Sequence, residues 1–554
     1  MNDAQPTAEA LAVANGEIMS VGASSDVLTH RSPSTRMIDL EGKALLPGFI
    51  DPHGHVSLVG LQAASANLLP APDGQGNSIA ALNETLCRHM EDSSMPEDLG
   101  VVVGFGYDDS QLSEGRHPTR RDFDEVARDM PILTIHQSFH LGSLNSKALE
   151  IVGFNADTPD PPGGKIWREP DSQEPSGVVE EAAFFYALST LLAGVGPDLA
   201  QPMLIAGQDL YLSYGYTTIQ DGRASAAQIA VAKTAARDKL LKADIVAYPD
   251  VFDPATPALM APPWFRDVSQ PPEYVSGFRI GGVKLTLDGS PQGKTAWLTR
   301  PYFKPPAGED PDYAGHGVVS DEQALAAITM ALRNRWQILI HANGDRAIDQ
   351  MLDRLQEAQS VVEGDDVRPV LIHGQTLRED QVDRLKDLGV FPSLFPMHTF
   401  YWGDWHRQSV LGPQRAENIS PTGWLVQREM MFSTHHDAPV ALPNSIRVMS
   451  STVNRTTRSG YVLGRPHRVA PSVALKAMTL WPAHQHFEAA RKGSLEAGKL
   501  ADLVILSRSP LDQNTPRIDD IKVVETIKEG KTVYQVGSPP PPRAPCMPSR
   551  RRAP

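Results

Sequence analysis

Between residues 216 and 434 short apolar runs alternate with segments of helical periodicity, and this alternation restricts the fold more than any other feature of the chain. The runs are Tyr216-Thr-Thr-Ile-Gln220, Asp244-Ile-Val-Ala-Tyr248, 279–285, 337–340, 370–372, 390–394 and 431–434, with helical spacing at 224–241, 321–333, 348–358 and 378–388. Adding the apolar stretch that begins at Lys43 gives eight strands with helical crossovers, the pattern of an α/β fold of the (β/α)8, TIM-like barrel type.

A barrel takes about 250 residues, and 554 are present, so the chain must carry additions. One lies between residues 60 and 210, a span too long for a single crossover helix and therefore an insertion after the first strand. The others are the ends. Residues 8–42 alternate around Asn15-Gly16 and Val21-Gly22 and read as short strands joined by tight turns. The same texture returns at 493–506 and 521–534, so the two ends are expected to pair into a small β-sandwich. The expected organisation is residues 1–45 as the first part of that sandwich, 46–484 as the barrel, 485–536 as its second part, and 537–554 as a disordered Pro/Arg-rich tail.

The net charge of −15 disfavours nucleic acid and anionic membranes as partners. Two cysteines, Cys87 and Cys546, are too few for a disulfide framework or a thiolate metal site. With no basic, apolar leader and no apolar run of about 18 residues, a cytoplasmic protein acting on a small molecule is expected, and a homo-oligomeric state is compatible with the sequence.

The first apolar run continues into Phe49-Ile-Asp-Pro-His53-Gly-His55. In extended backbone, side chains two apart share a side, so His53 and His55 can reach one metal ion. Barrel enzymes place their chemistry at the C-terminal ends of the strands. There the later runs offer Lys284 on strand four, His341 in His-Ala-Asn-Gly-Asp345 after strand five, His373 after strand six, and His435-His-Asp437 after strand eight. Nitrogen and oxygen donors without thiolate suit zinc, with manganese, iron or nickel also admissible.

Leu46-Pro-Gly-Phe-Ile-Asp-x-His-x-His55 resembles the first-strand signature of the amidohydrolase superfamily, and Gly493-Ser-Leu-Glu-x-Gly-Lys-x-Ala-Asp-Leu503 resembles its C-terminal pattern. His140-Leu-Gly-Ser-Leu-Asn145-Ser-Lys-Ala-Leu, Asp160-Pro-Pro-Gly-Gly164, Pro175-Ser-Gly-Val-Val-Glu-Glu181 and His341-Ala-Asn-Gly-Asp345 resemble the branch that includes YtcJ and N-substituted formamide deformylase. The resemblance implies a metal centre held by His53, His55, Lys284, His341, His373 and Asp437. In it a carboxylated Lys284 bridges two divalent ions, most simply zinc, and Asp437 carries the water's proton. It also implies that the insertion covers the barrel mouth. There His140 is a candidate donor to the developing oxyanion, and Tyr107, His398, Trp402 and Trp405 are candidates for substrate contact. The implied reaction is hydrolysis of an amide-like C–N bond in an N-substituted amide, formamide or carbamate. A lactone, ester or phosphotriester is the alternative substrate for the same centre, and an inactive metal-stabilised binding protein the alternative from another class. Two departures stand out: a strand usually found before the Asn-Gly turn looks short or absent, and the usual Gly-Ser-Asp-Ala-Pro reads His435-His436-Asp437-Ala-Pro.

Overall fold

The structure, a computed structural model, describes residues 5–306, 308–362, 364, 366–512 and 517–537. The tail from residue 538, including Cys546, lies outside the described residues.

The eight strands fall where the apolar runs place them, in two parallel sheets arranged as a barrel-like body. Phe49–Ile50, Tyr216–Ala224, Asp244–Pro249 and Phe278–Ile280 form one sheet; Gly282–Thr286, Gln337–Ala342, Val370–His373, Phe391–Leu394 and Ser433–Thr434 form the other. Residues such as Ile338, Leu339, Ile340, Leu371 and Ile372 are fully buried, as strands covered on both faces require. Strand four is divided at Gly281, where a Cβ would stand 2.5 Å from the Tyr248 ring, so only glycine lets the strand pass. Among the described residues the ladder does not close on itself. The outer edges meet through one loop: Ile50 N–H donates to Met478 O and Thr434 N–H to Ala477 O, each at 3.0 Å.

The insertion is a six-stranded sheet in the order Ala66–Asn67, Val102–Tyr107, Ile132–His136, Leu141–Leu144, Pro175–Glu181, Gly164–Arg168. It leaves the barrel through helix Val56–Ala64 and returns through Pro197–Ser213. These helices touch backbone to backbone: a Cβ on Gly60 would lie 2.3 Å from Met203 O, and one on Gly207 2.6 Å from Val56 O.

The chain ends do meet. Ala44–Pro47 pairs antiparallel with Leu503–Leu506, followed by Val523–Lys528 and Lys531–Gln535. The apolar run that starts at Lys43 is thus shared: residues 44–47 belong to this sheet and 49–50 to the barrel. Ala10–Ala14 pairs with Glu17–Gly22 around the Asn15-Gly16 turn, so the strand that seemed short or absent is present. Alternation misleads further on, where 24–27 is a helical turn, 28–30 a 3₁₀ turn, and 31–43 contains no strand. A buried ionic network bolts this sheet to the barrel floor. Asp244 accepts from Lys492 at 2.7 Å and Lys528 at 2.8 Å, Lys528 reaches Asp502 at 2.9 Å, and Glu488 holds Lys492 at 2.5 Å and Arg279 at 2.7 Å. Among the described residues no helix is long and apolar enough to cross a membrane.

Candidate metal centre

His53, His55, Lys284, His341, His373 and Asp437 come together at the C-terminal ends of the strands, and their hydrogen bonds decide which ring nitrogens face inward. His53 Nδ1 lies 2.7 Å from Gln220 Oε1 and His55 Nδ1 2.5 Å from Gly222 O, acceptors that take the Nδ1 protons. Both Nε2 lone pairs then point to Asp437 Oδ1, at 3.3 Å from His53 and 3.2 Å from His55. His341 Nε2 lies 3.2 Å from Gly289 O, which leaves its Nδ1 lone pair 3.1 Å from His373 Nε2. His373 Nδ1 lies 3.0 Å from His435 Nε2, and His435 Nδ1 3.0 Å from Ser393 Oγ, a relay that can take the Nδ1 proton when His373 ligates through Nε2.

Four imidazole nitrogens and a carboxylate thus converge at 3.1–3.9 Å from one another, with the Lys284 Nζ donor beside His53 Nε2 at 3.0 Å. Such a set is repulsive unless a cation fills it, and outer N–H groups bonded to fixed acceptors are the usual support of metal-ligating histidines. The residues fit a divalent metal with N and O ligands. Burial, reinforced by neighbouring cations and imidazoles, holds His53 and His373 well below the ordinary histidine range, so both stay neutral and able to ligate. His373 and Asp437 both sit at positive φ, 75° and 54°, a strain expected where the surroundings fix a functional geometry.

Lys284 is buried with Nζ 3.0 Å from His53 Nε2, and burial brings its pKa down to about 7. Among the described residues no ion pair joins it to Asp288. Asp288 instead clamps backbone, accepting from Asn343 N at 2.9 Å, Gly344 N at 2.7 Å and Trp297 N at 2.9 Å. His436 points away from the ligands, its Nε2 3.4 Å from Asp51 Oδ1 and its ring edge-on to Tyr211 and Tyr216.

The insertion supplies the roof. His140 Nδ1 sits 3.0 and 3.2 Å from the Glu181 carboxylate oxygens. Tyr107 is fully buried with its hydroxyl 3.4 Å from His117 Nδ1, and the buried Trp402 donates to Asp108 Oδ2 at 3.0 Å, which ties the roof to the barrel loop. His398 Nδ1 packs 3.0 Å from His406 Nε2, and Trp405 donates to Gln292 O at 3.1 Å with Lys294 4.9 Å over its ring. Arg415 fixes its loop through the Leu411 and Pro301 carbonyls. Asp108, Asp109 and His136 also cluster. The backbone N–H of Ser138 donates to His136 Nδ1 at 3.0 Å, so the ring proton sits on Nε2, 3.1 Å from Asp109. A nitrogen that keeps its proton is no ligand, and this group reads as a hydrogen-bonded support.

Sequence reasoning missed the partners that aim the ligands: Gln220, Gly222, Gly289, Ser393 and the relay role of His435. Only the last carried a signal, an additional histidine beside Asp437.

A barrel-like body with nitrogen and oxygen donors that fit a divalent metal at its strand ends is the architecture of a metal-dependent hydrolase. The family model described as amidohydrolase family matches residues 36–534, and the chain belongs to that family. It is 28% identical over 95% of its length to an N-substituted formamide deformylase of Arthrobacter pascens, of which it covers 95%. It is also 24% identical over 95% of its length to a putative amidohydrolase YtcJ of Bacillus subtilis, of which it covers 96%. Among solved structures, an uncharacterized metal-dependent hydrolase of Pyrococcus horikoshii shares the fold, with a TM-score of 0.70, 22% identity and 95% of each chain covered.

Proposed function

We propose that the protein hydrolyses the C–N bond of an amide-like small molecule, an N-substituted amide, formamide or carbamate. The observation that carries this reading is the ring of inward-facing lone pairs around Asp437, in a chain whose similarity to an N-substituted formamide deformylase runs nearly end to end. His53, His55 and Asp437 would hold one divalent ion and His341 with His373 a second, zinc being the first choice and manganese, iron or nickel alternatives. A divalent cation in this site supplies Lewis acidity, lowering the pKa of water toward neutrality and polarising a carbonyl.

The chain's own residues do the rest. Asp437 accepts the proton of the attacking water and delivers it to the departing nitrogen, the general base then general acid of the reaction. With its pKa near 7, Lys284 has a substantial neutral amine fraction, the form that adds carbon dioxide and releases a proton to solvent to become a carbamate, an anion that would serve as a further oxygen ligand. His140 stands over the site as a donor to the carbonyl oxygen, where negative charge grows as water adds. Trp405, partly exposed, is the candidate for substrate contact, while His398, Tyr107 and Trp402 are buried.

Metal content of the purified protein, with turnover of matched amide and ester panels before and after chelation, tests the reading. Metal-dependent cleavage of amides is expected. Full activity in metal-free protein overturns it, and turnover of esters or lactones alone reassigns the bond.

A further inference from the structure

His140 and Glu181 are bound to each other twice. The Glu181 N–H donates to the His140 carbonyl at 2.8 Å, and the Glu181 carboxylate receives His140 Nδ1 at 3.0 and 3.2 Å. This closes the end of the Leu141–Leu144 and Pro175–Glu181 ladder, whose last register pair is Leu141 with Glu180. The closure uses unusual backbone on both sides. Phe139, just before the histidine, has φ 61°, and Glu181 has φ 47° and ψ −118°, a region that residues with a Cβ rarely enter. A glycine would sit there without strain, yet a glutamate is present, and among the described residues the hydrogen bonds of its carboxylate are those it accepts from His140 Nδ1. Strain of this kind persists where the surroundings enforce it for a purpose.

Both side chains remain partly open to the barrel mouth, at 26% and 30% exposure. The barrel charges that act on His140 are Arg223, at the end of strand two, and Asp437; Glu181 also feels Arg223, together with His316 from the loop after strand four. Among the described residues no protein group is hydrogen-bonded to His140 Nε2.

We propose that Glu181 is the positioning residue of a carboxylate–histidine dyad that the insertion lends to the barrel: its carboxylate accepts from His140 Nδ1–H and stabilises the imidazolium, whose Nε2–H then donates to the carbonyl oxygen of the bound amide. The inference rests on the hydrolytic reading above, while the dyad itself can be tested without it. The dyad leaves His140 protonated further into the neutral range: burial alone would lower its pKa, and the Glu181 carboxylate outweighs burial and raises it. Glu180, one residue earlier, feels Lys165 and Trp167 instead and serves as the control.

The test uses the full-length, metal-loaded protein. Diethyl pyrocarbonate modifies only neutral imidazole, so the pH midpoint of His140 carbethoxylation, followed by peptide mass spectrometry, reads its protonation. The midpoint is expected to lie above the ordinary histidine value, to fall by about one unit in Glu181→Gln, and to be unmoved in Glu180→Gln. In turnover, His140→Ala should lower kcat/KM about a hundredfold and Glu181→Gln about tenfold, and the double variant should be no worse than His140→Ala. Additive losses, or an unmoved midpoint in Glu181→Gln, overturn the positioning role. A shifted midpoint with unchanged turnover in His140→Ala overturns the catalytic one. If the wild-type protein cleaves no amide, the hydrolytic reading fails, and with it the donation to substrate, while the carbethoxylation midpoint still decides whether the dyad exists.

Discussion

Gln220→Leu isolates the support of one metal ligand without touching the ligand. Gln220 Oε1 takes the His53 Nδ1 proton at 2.7 Å, and its Nε2 donates to Pro52 O at 2.7 Å. Leucine nearly conserves volume, and Pro52 O keeps its second donor, Gln485 Nε2 at 2.8 Å, so the change leaves one new orphan, the buried His53 N–H. An unsatisfied buried donor costs about 1–3 kcal/mol, and loss of an outer-shell partner weakens metal binding by about 10–100-fold, or ~1.4–2.7 kcal/mol. The two estimates agree because both describe the same event: without an acceptor at Nδ1, nothing fixes the tautomer that exposes the Nε2 lone pair. Equilibrium competition against a graded series of chelators, with circular dichroism to verify the fold, measures the effect. An affinity within twofold of wild type would refute the tautomer argument and reduce Gln220 to packing. Gln220→Glu should retain or tighten binding, since a carboxylate makes the imidazole a stronger donor.

Asp437→Asn removes the proton carrier but keeps an oxygen donor, so kcat/KM should fall by about 10²–10⁴ while substantial metal is retained; equal activity would move the base elsewhere. Asp244→Ala leaves Lys492 and Lys528 short of a shared buried carboxylate and should destabilise the protein by about 3–5 kcal/mol in urea unfolding, the cost of breaking a buried pair; a loss under 1 kcal/mol would mean that water reaches the network. Burial pushes the Glu488 carboxyl up, but Lys492 and Arg279 outweigh it and hold it well below the usual range. Its stabilisation is therefore complete above the unfolded value near 4.5 and drains away as pH falls below it. Glu488→Gln should flatten the fall in urea midpoint between about pH 5 and pH 3, and an unchanged pH slope would exclude Glu488 as a source of acid sensitivity.

The strands and the convergence of the candidate ligands were legible in the sequence because they announce themselves locally: an apolar run of three to seven residues, with a histidine, lysine or aspartate in or just after several of them. The first strand shows the limit of that signal. Its apolar run is continuous, yet Gly48 divides it between two sheets, because a Cβ there would stand 2.4 Å from the Thr217 side chain. No pattern in residues 44–50 encodes that neighbour. The alternation of 24–42 failed for the opposite reason, since period two without a partner strand does not make a strand. Glu181 looked like one acidic residue of a motif, and its pairing with His140 depends on a register set 40 residues away in the chain.

The geometry of the centre is a consequence of strand order. Each candidate histidine ligand is oriented from another strand of the barrel: His53 and His55 after strand one by Gln220 and Gly222 of strand two, His341 of strand five by Gly289 after strand four, and His373 of strand six by His435 after strand eight, itself held by Ser393 of strand seven. The register that pairs Phe49 with Tyr216 and Ile50 with Thr218, continued by Gly222 N–H donating to Gly54 O, sets Gln220 opposite His53. A slip of one residue would turn Gln220 to the other face of its strand and leave His53 free to take the wrong tautomer. The sheet therefore does more than bring six side chains together. Its hydrogen-bond ladder determines which nitrogen of each imidazole carries the proton, and so whether the assembled residues can bind a metal at all.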